Sequence, residues 1–227
     1  MKKPRAYAEY RNINIGRAAE IIDGTLLKPG ETFSMNDIVG ERTEANGFTK
    51  GYVISDGILI QDLGGGVSQM ATTLFNAMFF AGLEDVEHKP HSFYIDRYPV
   101  GREATVAWGA VDLRFRNDTP YGVLVDTSFT NSTPSSSGAV TVTMYSTKYW
   151  DVTTTTGERY NITQPETRRI NDLTCHPNEG YGGFDIDVVR YFTPVNGNPE
   201  TRDDEVFRTT YTPSDTVICT NPDAVDE

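Results

Sequence analysis

Long apolar runs are missing from this 227-residue chain. No stretch approaches the roughly 18–20 apolar residues that a membrane-crossing helix requires, so insertion of this segment into a bilayer is not expected. Met1, Lys2 and Lys3 open the chain with positive charge, but no apolar stretch follows them. Any export signal or anchor is therefore expected to have been removed. Basic clusters are missing too: 32 acidic side chains face 20 basic ones, for a formal net charge of -12. Such a surface repels phosphate backbones and anionic headgroups, which argues against nucleic-acid partners. No internal repeat is visible.

Cysteine is nearly absent, and its two occurrences, Cys175 and Cys219, both fall in the last quarter in polar, turn-rich surroundings. Bonded to each other, they would close a loop of roughly 45 residues, restrict the unfolded chain by about 4 kcal/mol and imply an oxidising compartment. Two unrelated free thiols are the alternative.

What is present can bury a core: 37% of the residues are hydrophobic and 11% aromatic. Residues 14–23 read as an amphipathic helix with Ile15, Ala18, Ala19 and Ile22 on one face and Gly24 to end it. Residues 52–54 and 58–60 flank Ser55, Asp56 and Gly57 as two short strands around a tight turn. From 68 to 81, Met70, Ala71, Leu74, Phe75 and Met78 recur at helical spacing, with Phe79 and Phe80 widening the stripe into that of a buried helix. The text then becomes strand-rich, with strands expected at 92–95, 104–108, 113–116, 123–129 and 140–145, and an exposed loop at 131–138. After Trp150 the composition shifts toward Thr, Asp, Asn and Pro, with strands expected at 185–192 and 205–212. The fold class expected is α+β, a central buried helix packed on an antiparallel sheet. The expected division is a main domain over 1–150 and a β-rich, disulfide-tied extension over 151–227.

Gly64, Gly65 and Gly66 leave the backbone bare where the central helix begins. They put Ser68 near its N-terminus, where unpaired N–H groups and the positive dipole end favour an anion. Downstream lie His88 and His91, then Asp112 and Asn117. In papain-like and transglutaminase-like enzymes a helix N-terminus activates a Cys, a strand His is the base and a third group orients the imidazole. The order here is analogous, with Ser68 as nucleophile, His91 as base and Asp112 or Asn117 as orienter. A serine is the weaker nucleophile, however, and Ser68 also suits an ordinary helix cap, worth about 1 kcal/mol. His91 and His88 equally suit strand-edge residues bound to backbone carbonyls, and His176 a loop. Gly65, Gly66 and Gln69 would contact a ligand, with Arg97 and Arg102 clamping a carboxylate or phosphate through their planar forks. The alternative for these arginines is pairing with local acids such as Glu103. The reading assigns no metal and no cofactor, the spacing of His88 and His91 around Pro90 being a poor ligand pair.

Several ordered motifs together resemble a known family. They are Pro29-Gly30-Glu31-Thr32-Phe33-Ser34, then Gly64-Gly65-Gly66-Val67-Ser68-Gln69 with Thr72-Thr73-Leu74-Phe75-Asn76, then His91-Ser92, and then Tyr98-Pro99-Val100-Gly101-Arg102-Glu103-Ala104-Thr105. From about Asn12 to about Tyr145 they resemble the VanW family. Many members carry Cys where this chain has Ser68, and Asp where it has Glu103. The resemblance implies a bacterial secreted or cell-envelope protein of the kind found with vancomycin-resistance genes. The function expected is an extracytoplasmic accessory protein that binds peptidoglycan or its peptide stems. A Ser68-dependent hydrolase or acyltransferase on cell-wall peptides is the alternative, and a purely structural envelope domain is a third.

Overall fold

A computed structural model describes residues 7–55, 58–173, 175 and 177–221, with the side chains of 53–60 outside the description. In chain order the elements are α1 (Glu9–Ile22), β1 (Thr25–Leu27), β2 (Thr32–Ser34), α2 (Met35–Val39), β3 (Lys50–Ser55), β4 (Ile58–Leu63) and α3 (Val67–Ala81). They continue with β5 (Glu84–Glu87), β6 (Arg114–Arg116), β7 (Val123–Thr130), β8 (Ala139–Tyr145), β9 (Trp150–Thr156) and β10 (Tyr160–Thr163). The last are β11 (Thr167–Ile170), β12 (Gly183–Pro194), β13 (Glu205–Tyr211) and β14 (Thr216–Cys219). The α+β class and the central helix stand as expected. The turn residues Asp56 and Gly57, and His176, lie outside the described residues.

The strands form antiparallel sheets β1-β7-β8 and β2-β6-β5, the pair β3-β4, and a sheet in which β12 carries β13 on one side and β9 and β10 on the other. Only β11 and β14 pair in parallel among the described strands. The helix α3 lies inside these layers with Met70, Ala71, Leu74, Phe75, Met78 and Phe79 fully buried. Each large apolar side chain so buried contributes about 1.5–3 kcal/mol. Phe33 of β2 and Phe115 of β6 stack at 4.6 Å beneath the same core. Val188 of β12 belongs to that core as well, so the extension after Trp150 packs on the helix that the N-terminal region surrounds.

Two expected strands, 92–95 and 104–108, are not strands in the structure. Their backbone is satisfied by other partners. Thr72 Oγ1 donates to the Ala104 carbonyl at 3.0 Å, Asn76 Nδ2 donates to the Arg102 carbonyl at 2.9 Å, and the Thr105 N–H reaches the Lys89 carbonyl at 2.7 Å. Residues 102–104 therefore run along α3 by binding its polar side chains, a pairing that period-two hydrophobicity does not distinguish from a ladder. The helix α1 starts at Glu9, five residues before the expected Asn14, because its first turn is polar and carries no apolar spacing to reveal it.

Candidate functional site

The start of α3 is built from bare backbone. Gly66 is the N-cap, in the left-handed region at φ 96°. Ser68 therefore sits in the first turn and is not the cap, and its hydroxyl has no hydrogen-bond partner among the described residues. Gly65 packs on β3 so closely that a Cβ there would lie 2.5 Å from the Gly51 carbonyl carbon and 2.7 Å from its Cα. Asn14, fully buried on α1, locks the turn: its Nδ2 donates to the Gly65 carbonyl at 2.9 Å and the Thr49 carbonyl at 3.0 Å, and its Oδ1 accepts from the Thr49 N–H at 2.8 Å. Since both clashing atoms at Gly65 are backbone, Gly65→Ala should force α3 and β3 apart and cost about 1–3 kcal/mol, read as a lowered urea midpoint.

Arg11 of α1 reaches this turn. Its Nη2 donates to Gln69 Oε1, and Nη1 would lie 3.3 Å from a Cβ placed on Gly66. It also hydrogen-bonds the Tyr98 hydroxyl, whose pKa burial pushes up and the Arg11 charge draws back down. Among the described residues no carboxylate pairs with Arg11.

Tyr98 joins this cation to a second group. Its ring stacks on His91 at 5.1 Å with 19° between planes. His91 Nδ1 lies 2.5 Å from Glu103 Oε2, and the Tyr211 hydroxyl donates to Glu103 Oε1 at 2.5 Å. His91, Glu103 and Tyr211 are all buried. Thr72, four residues after Ser68 and so on the same face of α3, binds Ala104, the neighbour of Glu103.

The residues singled out in the sequence thus separate. Gly66, Gln69 and His91 are joined through Arg11 and Tyr98, while Gly65 packs on Gly51 and Ser68 stands beside Gln69 in the first turn of α3. Asp112 does not orient His91, because its carboxylate is taken by the start of α2, accepting from Ser34 Oγ at 2.5 Å and from the Asn36 N–H at 2.9 Å. Glu103 holds that place instead. Asn117 is likewise committed, its Nδ2 donating to the Leu27 and Tyr121 carbonyls. Arg102 lies at the far end of α3, its guanidinium 5.0 Å from the Phe80 ring and 5.8 Å from that of Phe79. That is roughly 16 Å along the helix from Ser68, at about 1.5 Å per residue. It is not paired with Glu103. Its Nε is buried without a partner and burial lowers its pKa. Arg97 lies over Tyr98 at 6.0 Å. His88 belongs to another environment, its Nδ1 2.6 Å from Asp85 Oδ2 and its ring stacked on Phe75 at 4.4 Å. Among the described residues no three His, Cys, Asp or Glu side chains converge as metal ligands.

The VanW like protein family matches residues 10–145, more than half of the chain. The chain belongs to the VanW family. The uncharacterized protein YoaR of Bacillus subtilis (strain 168) is 41% identical over 115 residues, covering 51% of this chain and 38% of YoaR. The vancomycin B-type resistance protein VanW of Enterococcus faecalis (strain ATCC 700802 / V583) is 32% identical over 120 residues, covering 50% of this chain and 43% of that protein. The chain thus spans less than half the length of either relative. No solved structure matches it. The VanW match includes Arg11, the glycine turn, Ser68, His91, Tyr98 and Glu103, and stops short of Tyr211.

Arg11 and Tyr211 were not foreseen from the sequence. Arg11 stands three and four residues before Asn14 and Ile15 on the buried face of α1, a spacing that could have shown it. Tyr211 has no local signal, since only the docking of β13 against residues 92–101 brings it to Glu103.

Proposed function

We propose that this VanW-family chain is an extracytoplasmic cell-envelope accessory protein that binds peptidoglycan through a carboxylate of its peptide stems, received at the start of α3. The observation that carries this reading is the Arg11 guanidinium. It is held by Gln69 and Tyr98 beside Gly66, and no carboxylate pairs with it among the described residues. The Val67 and Gln69 N–H groups turn back onto the Gly64 and Gly66 carbonyls, so a planar anion held by the Arg11 cation would meet the positive dipole end of α3 and, among these first-turn groups, the Ser68 N–H alone. The Cys175–Cys219 bond supports an oxidising compartment. No helix among the described residues is long and apolar enough to cross a membrane. A relative named for vancomycin resistance supports a cell-wall setting.

Titration with soluble muropeptides should give saturable binding that Arg11→Ala weakens about 10- to 100-fold, the worth of a charge-assisted hydrogen-bonded pair. Peptides with amidated carboxyl groups should bind as weakly to the native chain. Equal binding of amidated and free peptides would contradict the proposal.

One observation favours a second reading, acyl transfer or hydrolysis on the same peptides. Glu103 engages Nδ1 of His91 and leaves Nε2 as the nitrogen able to act as base for Ser68. A fluorophosphonate probe should then label the native chain and not Ser68→Ala. An unlabelled native chain leaves binding as the function.

A further inference from the structure

The extension that follows the family match reaches into the site. Tyr211 ends β13 with a ring only 1% exposed, packed against Phe184 at 5.0 Å and Tyr94 at 5.6 Å. Its hydroxyl accepts from the Gly101 N–H at 2.9 Å while donating to Glu103. The next residue fixes the strand end: the Thr212 N–H and Oγ1 both donate to the Ser92 carbonyl, at 2.7 and 2.8 Å. A loop beside His91 and a loop beside Glu103 are thus both tied to the same two residues of the extension.

We infer that Tyr211 is a positioning residue for His91: by binding one oxygen of Glu103, it holds the other on Nδ1 and keeps Nε2 free to face a ligand. The inference rests on the reading of the His91 face as the working site. A buried carboxylate is tolerable when its oxygens find donors, and Glu103 finds one for each. Without the phenol, Oε1 would be left to water or to rotation about the carboxylate bond, and Oε2 would no longer be held to the imidazole. Tyr211 is suited to the task because its proton stays in place. Burial first, then the Glu103 charge and hydrogen bond, raise its pKa above the ordinary tyrosine value. It donates throughout the working pH range. The VanW match ends at residue 145, so this hydroxyl is supplied by a part of the chain that the family region does not contain.

The test is the low-field Nδ1–H resonance of His91, observed by nitrogen-edited NMR on the full chain without ligand. The native protein should show it, protected from solvent exchange. In Tyr211→Phe, which removes one hydroxyl and keeps the ring, exchange should quicken at least tenfold or broaden the signal away, with the fold retained by circular dichroism. Thr212→Val removes a neighbouring side-chain bond of the same strand end and should leave the signal in place. A native chain without the resonance, a Tyr211→Phe chain with native exchange, or a Thr212→Val chain that matches Tyr211→Phe would each overturn the inference. Because no ligand is present, such a failure is separate from a failure of muropeptide binding.

Discussion

Arg190→Ala is expected to destabilise the chain by about 3–5 kcal/mol, the usual consequence of removing one partner of a buried ionic group. Arg190 is fully buried on β12. Its Nη2 donates to the carbonyl of Leu83, just past α3, at 2.8 Å and its Nη1 to the Phe79 carbonyl in the last turn at 3.3 Å, where the Gly82 N–H also donates. Its guanidinium lies 4.6 Å from the Phe192 ring and 4.9 Å from that of Phe79, and its Nη2 is 3.0 Å from Glu205 Oε2. Burial lowers its pKa to about 10, so at neutral pH it remains a cation. Truncation opens a cavity among aromatic rings and takes from the Leu83 carbonyl its arginine donor, while the Phe79 carbonyl keeps the Gly82 N–H. Glu205 keeps Arg202, 2.7 Å away, which moderates the loss on that side. Arg190→Met, which refills the volume without donors, should fall between the two. Urea unfolding followed by far-ultraviolet circular dichroism measures all three, and a loss below about 1 kcal/mol for Arg190→Ala would contradict this account of how α3 ends.

Removing the Cys175–Cys219 bond should cost a comparable amount by another route. The bond closes a segment with a sequence separation of 44. In the chain-entropy model, freeing that loop stabilises the unfolded state by about 4 kcal/mol. The native structure adds a reason to expect a visible effect. β11 and β14 form a two-stranded parallel ladder whose β11 residues are all exposed, and such a pair is marginal by itself. The double variant Cys175→Ala with Cys219→Ala should lower the urea midpoint, and added reductant should reproduce the shift in the native chain and not in the variant. Equal midpoints with and without reductant would show that the bond staples nothing.

Local patterning made some of this legible in advance. The apolar spacing of Met70, Leu74, Phe75 and Met78 marks α3 to within one residue, since a buried helix must present those positions inward. Period-two alternation along β12 puts Phe184, Ile186, Val188 and Arg190 on one buried face. The same alternation marks Arg190 as a charge inside the core. Two lone cysteines, both in the last quarter, suggest one staple, and they form one. The gathering of the site was less legible. Asp112 and Glu103 are both acids near a histidine in the order of the chain, and only the course of 102–104 along α3 puts Glu103, not Asp112, against His91. Sequence order alone does not separate Arg102 from Ser68, because it says nothing about which end of a 15-residue helix a following segment meets. Tyr211 depends on contacts across more than a hundred residues, which no local pattern carries.

The central claim is that the start of α3, with Arg11 and His91 beside it, receives a peptide-stem carboxylate. Amide chemical shifts of the nitrogen-15-labelled chain, followed during titration with a muropeptide, test it most directly. The account predicts saturable shifts concentrated at Arg11, Gly65, Gly66, Ser68, Gln69 and His91, and much reduced in Arg11→Ala. No saturable shift at these residues, or shifts confined to the Arg102 and Phe80 end of the helix, would contradict it.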